Sequence, residues 1–213
     1  MPLLTLDHVS KSFGSSPVFT DVTASFERGR AYAIVGPNGV GKFVLFKLML
    51  GFLRPDSGTV RIDPAISPQS RLFPDRFGIV MDPPGYLAHK TGRENLAQLA
   101  EIQGRASADD ITAALDRFGI LNVADNKVKT YSLGMKQKLA LAQATFEDQQ
   151  VLLLDEPFSA LDASSLVNVH GILRVLVADG KTIIFTSHNP ADIEAVADEV
   201  LQIDNGTLVP HSA

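Results

Sequence analysis

The stretch Gly36-Pro37-Asn38-Gly39-Val40-Gly41-Lys42-Phe43-Val44 constrains this chain more than any other. An apolar run, Ala31 to Val35, precedes it and reads as a buried strand. A second apolar run, Val44 to Leu50, is rich in helix formers and closes at Gly51. Strand, glycine-rich turn and helix form the setting of a phosphate-binding loop. Glycines let the backbone curl with its N–H groups inward, and a lysine ammonium reaches the terminal phosphates. Gly36, Gly39 and Gly41 supply the first feature and Lys42 the second. The G-x-x-x-x-G-K pattern is complete and correctly flanked, which separates it from an ordinary glycine turn opening a helix. One position departs from it. The pattern ends in a Ser or Thr whose hydroxyl ligates magnesium. Here Phe43 and Val44 stand instead, and neither side chain coordinates a metal.

Two further stretches carry chemistry. Val151 to Leu154 is apolar throughout and runs into Asp155-Glu156-Pro157. Such a run reads as a central parallel strand, and ligands bind at the C-terminal ends of strands in open α/β sheets. Asp155 can hold magnesium and Glu156 can take a proton from an attacking water; solvated acids at a strand end are the plainer reading. Lys181 to Thr186 reads as another buried strand and ends in Ser187-His188-Asn189-Pro190, which makes His188 a candidate γ-phosphate contact.

The remaining segments fill in an α/β pattern. Residues 3–9 and 18–26 alternate apolar and polar and predict an antiparallel sheet laid before the phosphate loop, and 59–62 reads as a short strand. Phe13, before Gly14, can stack on a base or pack in the core. Residues 63–75 hold three prolines and read as an irregular connection, followed by a short buried strand from Phe77 to Met81. Asp82-Pro83-Pro84-Gly85-Tyr86 must be a loop. Thr91 with Glu94 forms a capping box for a helix over 92–103, ended by Gly104, and a second helix spans 107–118. A third runs from Ser132 to Thr145; on spacing alone, Tyr131-Ser132-Leu133-Gly134-Met135-Lys136 is simply a helix N-terminus. Asp162 or Ser164 caps a helix over 163–178, another helix covers 191–199, and a hairpin turns at Asn205-Gly206.

Composition limits the functions open to this chain. With 213 residues, 45% apolar and 20% charged, it fits one globular domain with a subdomain. A net charge of −5 argues against a broad nucleic-acid surface. The absence of cysteine excludes disulfides and thiolate chemistry. The first residues, Met1-Pro2-Leu3-Leu4, do not resemble a secretory signal, and no apolar run approaches the roughly 20 residues that cross a bilayer.

In sum, these motifs resemble the nucleotide-binding subunit of ATP-binding-cassette transporters, over essentially the whole length. Gly36 to Val44 is the phosphate loop, and Tyr131 to Lys138 is similar to the family signature, with Ser132 and Gly134 in its Ser and second Gly positions. Val151 to Pro157 resembles the Walker B strand with its adjacent glutamate, Ser159 to Asp162 the D-loop, and His188 the switch histidine. Phe13 falls where the family places its base-stacking aromatic, and Asp82 where a Gln usually contacts magnesium and the attacking water. The Tyr-Ser-Leu-Gly-Met-Lys-Gln signature resembles the bacitracin-resistance and multidrug-export subgroup.

The resemblance implies a P-loop NTPase core with a mostly parallel sheet, an antiparallel edge region and a helical subdomain at about residues 83–145 of a single domain. It implies ATP and Mg2+ as cofactors, with Asp155 and Asp82 at the metal, and Glu156, His188 and Asp82 in catalysis. Phosphate loop residues 36–44, Phe13, Ser132, Gly134 and Asp162 would contact nucleotide. The implied partners are a membrane permease, on a cytoplasmic subunit held to the inner membrane face, and a second nucleotide-binding subunit in a head-to-tail dimer. Phe43 and Val44 leave open an alternative, a regulatory subunit with little hydrolysis. A cassette ATPase acting on ribosomes or DNA fits less well, given the acidic balance and single cassette.

Overall fold

The computed structural model describes residues 2–66, 76–81 and 84–211. Part of the proline-rich connection therefore lies outside the described residues, as do Asp82 and Pro83. Two sheets organise the chain. The smaller is antiparallel, with β1 (Leu4–Phe13) between β2 (Ser16–Phe26) and β4 (Ser57–Ile62). The larger has the order β5-β6-β7-β3-β8-β9. Its strands are β3 (Ala31–Val35), β5 (Phe77–Val80), β6 (Val151–Leu154), β7 (Thr182–Thr186), β8 (Glu199–Asp204) and β9 (Thr207–Pro210). All its pairings are parallel except the β8–β9 hairpin.

The period of two along each central strand builds a three-layer molecule. In β6, Val151 and Leu153 join one apolar cluster, while Leu152 and Leu154 join the other. Tyr32 and Ile34 of β3 face the first cluster and Ala31 and Ala33 the second. The first cluster also takes Leu45, Phe46, Leu48 and Met49 of α1 (Lys42–Met49) and the inner face of the antiparallel sheet. The second packs under α2 (Gly92–Gln103), α3 (Ala108–Arg117), α4 (Leu133–Thr145) and α5 (Ala163–Ala178). With both faces covered, β6 must be apolar at every position, and it is fully buried. α4 approaches β5 so closely that a Cβ on Gly78 would collide with the Ala144 carbonyl oxygen.

The expected caps are present: Thr91 forms a capping box and Asp162 rather than Ser164 caps α5. Ser107 forms a second capping box, and Ser132 accepts from the Met135 N–H. Two boundaries differ from expectation: β1 runs on to Phe13, past residue 9, and the last helix ends early. The last helix, α6 (Pro190–Val196), stops short of residue 199. Ala197 is extended, and Glu199 pairs with Tyr32 as the first residue of β8, so a parallel ladder overrides the helix-forming run there. Among the described residues no helix is long and apolar enough to cross a membrane.

Candidate functional site

Strands β6, β7 and β3 are parallel neighbours, so their C-terminal ends open on one edge. The turns that follow them meet around a cavity of about 670 Å³. Asn38, Gly39, Lys42, Phe43, Asp155, Glu156 and His188 line it. The sheet order thus brings together residues separated by more than a hundred positions.

The cradle follows from backbone geometry. Gly36, Gly39 and Gly41 have φ of 151°, 79° and 115°, where side chains are disfavoured. Space adds to this at Gly41, whose Cβ would lie 2.7 Å from a Val18 methyl. Gly41 caps α1 and no side chain bonds the first turn of that helix. The leading N–H groups of a helix lack intrahelical acceptors and favour an anion. The residues here fit a polyphosphate.

Lys42 Nζ donates to the carbonyl oxygens of Gly36 (2.7 Å) and Pro37 (3.3 Å). His188 Nε2 lies 3.2 Å from Lys42 Nζ and 3.2 Å from Glu156 Oε1. One ring nitrogen cannot accept from the ammonium and donate to the carboxylate at once. Glu156 Oε1 is in fact buried without a hydrogen bond, as follows when Nε2 accepts from Lys42. Burial pushes the Glu156 carboxyl up, against the pull of His188 and Lys42. Burial likewise pushes the Lys42 ammonium down, against Glu156 and Asp155. An acid without a hydrogen bond, with a raised pKa and beside a cavity, is what a general base needs.

Two residues not singled out in the sequence hold this turn. Thr186 Oγ1 donates to Asp155 Oδ1 (2.7 Å) and accepts from the Glu156 N–H (2.8 Å). Gln137 Nε2 donates to the carbonyls of Glu156 (3.3 Å) and Pro157 (3.0 Å). Glu156 itself has φ of 46°, a conformation that costs about 1–3 kcal/mol in a non-glycine residue and persists only under such constraint. The signal for Thr186 was its place: a polar residue at the C-terminal end of β7, after Ile183, Ile184 and Phe185.

The other candidates are placed as follows. Phe13 ends β1 and is 52% exposed, with Lys11 Nζ 5.7 Å from its ring centre, so it is not a core residue. Phe43 is 38% exposed, and Lys47 Nζ sits 4.1 Å from its ring centre, one helical turn on. Val44 is half-buried against the α1 cluster. Ser132 is exposed at the start of α4. Gly134 lets α4 pass the 160 turn, since its Cβ would lie 2.8 Å from the Ala160 carbonyl oxygen. Asp162 accepts from the Ser165 N–H and the Ser164 hydroxyl, both at 2.8 Å, and these bonds hold its carboxyl down to about 2. Asp82, a candidate for both metal and catalysis, lies outside the described residues. Asp155 is then the described carboxylate placed for a cation. Magnesium needs only one or two carboxylates when phosphates and waters complete its shell, so the donor set fits it.

A three-layer α/β fold with a glycine cradle at the end of one strand and carboxylates at the end of another defines a P-loop nucleotide-binding protein. The chain belongs to the ABC transporter family, which it matches over residues 19–159, and it is an ATP-binding subunit of such a transporter. It is 35% identical over 201 residues to the uncharacterized ABC transporter ATP-binding protein YybJ of Bacillus subtilis (strain 168), across 94% of this chain and 92% of that one. The bacitracin transport ATP-binding protein BcrA of Enterococcus faecalis is 31% identical over 209 residues, 97% of this chain and 68% of its own. A solved structure of the ATP-binding subunit of an ABC transporter superposes with a TM-score of 0.86 at 25% identity, covering 98% and 90% of the two chains.

Proposed function

We propose that this chain binds ATP on the 36–44 loop and hydrolyses it slowly to drive export through a separate membrane permease. The observation that carries hydrolysis is the linked group at the cavity: Lys42, His188 and Glu156 in successive contacts of 3.2 Å. Lys42 and the α1 N–H groups hold phosphate. Glu156 takes a proton from the attacking water, and His188, freed from Lys42 when the ammonium turns to phosphate, contacts the γ-phosphate. Asp155, fixed by Thr186, and Asp82 hold magnesium, which when bound neutralises charge on the phosphates. Phe13 stacks on the base.

Ser132, Gly134 and Asp162 face the phosphate loop of a second copy in a head-to-tail dimer that closes on ATP and opens on hydrolysis. Export is suggested by relatives named for bacitracin transport and Nod factor export. The permease docks on the loop after β5 and on α2, within the helical subdomain at about 83–145; the chain is thereby a cytoplasmic subunit held to the inner membrane face.

Glu156→Gln tests the reading. Loss of the base should cut turnover about 100- to 10,000-fold, while ATP stays bound and the dimer stays closed. Turnover equal to that of the parent would remove Glu156 from the role. A second reading, a regulatory subunit that closes on ATP and barely turns over, is favoured by Phe43 lining the cavity where a hydroxyl would stand. Parent turnover under saturating magnesium separates the two.

A further inference from the structure

A second, smaller groove of about 330 Å³ opens beside β5, between α2 and α4. Phe77, Leu99, Ile102 and Phe146 give it apolar walls, and Ile102 is 77% exposed at its rim. Glu147, two residues beyond the end of α4, also lines it. The residue is only 7% exposed, and its Oε1 is buried with no hydrogen-bond partner. The local turn is held through the backbone, by the Glu147 N–H donating to Gln149 Oε1 at 3.0 Å. The neighbouring acid shows the contrast, since Asp148 is paired with Lys181 Nζ at 2.7 Å and Arg76 at 3.5 Å. Burial pushes the Glu147 carboxyl up, with the Arg105 charge opposing. A buried acceptor without a partner is costly, and costlier still when ionised.

We propose that Glu147 anchors a lysine or arginine side chain of the permease in this groove. The proposal rests on the reading that the permease docks on this side of the subunit. The occupant follows from complementarity. A carboxylate acceptor calls for a cationic donor, and apolar walls suit the methylene stem that carries it. The volume is at the lower end for a ligand site, which suits one inserted side chain rather than a whole helix. A bare metal ion fits poorly, because it needs several oxygen ligands and no cluster of three metal-binding side chains occurs among the described residues.

The test uses the subunit with its permease in lipid nanodiscs, with affinity measured at low and high salt. Glu147→Gln keeps the shape and removes the charge. It should weaken association at least tenfold, flatten the salt dependence, and leave the unfolding temperature of the free subunit no lower than the parent's. Ile102→Asp spoils the apolar rim without touching the anchor. If Ile102→Asp weakens association and Glu147→Gln does not, the anchor is overturned and the docking reading survives. If neither weakens it, docking at this groove fails and the anchor with it. A lower unfolding temperature for Glu147→Gln also overturns the proposal, because the carboxylate would then serve the fold.

Discussion

Replacing Phe43 with Ser and Val44 with Thr should raise magnesium-dependent ATP turnover at least tenfold, about 1.4 kcal/mol of barrier. Phe43 is the second residue of α1 and lines the cavity with Lys42 and Asp155, its ring centre 4.1 Å from Lys47 Nζ. Magnesium keeps several waters readily, so a missing hydroxyl ligand can be replaced by water where there is room. A phenyl ring removes that room and dries it. The cradle N–H groups and Lys42 are untouched, so affinity for nucleotide without metal should hardly change. The double substitution has an opposing cost in stability. It deletes the contact with Lys47, worth about 0.5–1 kcal/mol at an exposed site. It also places a hydroxyl at half-buried Val44, for about 1 kcal/mol more. For a chain of this size each kcal/mol is about 2–4 °C in unfolding temperature. The variant should therefore be faster and less heat-stable, a pair of signs that general stabilisation cannot produce. Phosphate release measured against free magnesium is the assay. Full magnesium-dependent activity in the parent, with no gain in the variant, would refute the reasoning. It would mean that the ring, held over Lys47, leaves the metal its room.

Three further outcomes can be checked. The chain has no cysteine, so single cysteines at positions 84–90 can be cross-linked without background; they should capture the permease, and capture only from other positions would rule this loop out. Gly134→Ala puts a Cβ 2.8 Å from the Ala160 carbonyl oxygen and should cost about 1–3 kcal/mol of stability, with an unchanged unfolding temperature counting against the close approach. Glu147→Gln should have a pH-dependent effect, because burial raises the folded pKa above the ordinary 4.5. Below 4.5 the acid is protonated in both states and the variant matches the parent. As pH rises towards the folded value the unfolded chain ionises first and the parent loses stability, so the variant gains over it and then levels off. Urea midpoints at about pH 4 and pH 7 that differ equally between the two proteins would count against it.

Much was legible in the chain because local rules carried it. Ala31–Val35 has no polar atom to satisfy outside its backbone except the Tyr32 hydroxyl, so only a buried strand suits it. The Thr91–Glu94 box announces its helix by reciprocal bonds within one turn. The boundary at residues 197–199 was not legible, because the partner that extends it, β3, lies over 160 positions away. Thr186 and Gln137 were missed for the same reason: their value lies in which carboxylate or carbonyl they meet across the fold.

By itself the amino-acid sequence determined the phosphate loop, the strand ends that carry acid and histidine, and the family they point to. These depend on residue type at short spacing, which a linear chain displays. Only the tertiary structure decided that His188 lies between Lys42 and Glu156, that Phe43 lies by Lys47 at the cavity, and that Glu147 Oε1 is left buried without a hydrogen bond. Those are facts of distance and desolvation between segments, and no spacing along the chain encodes them.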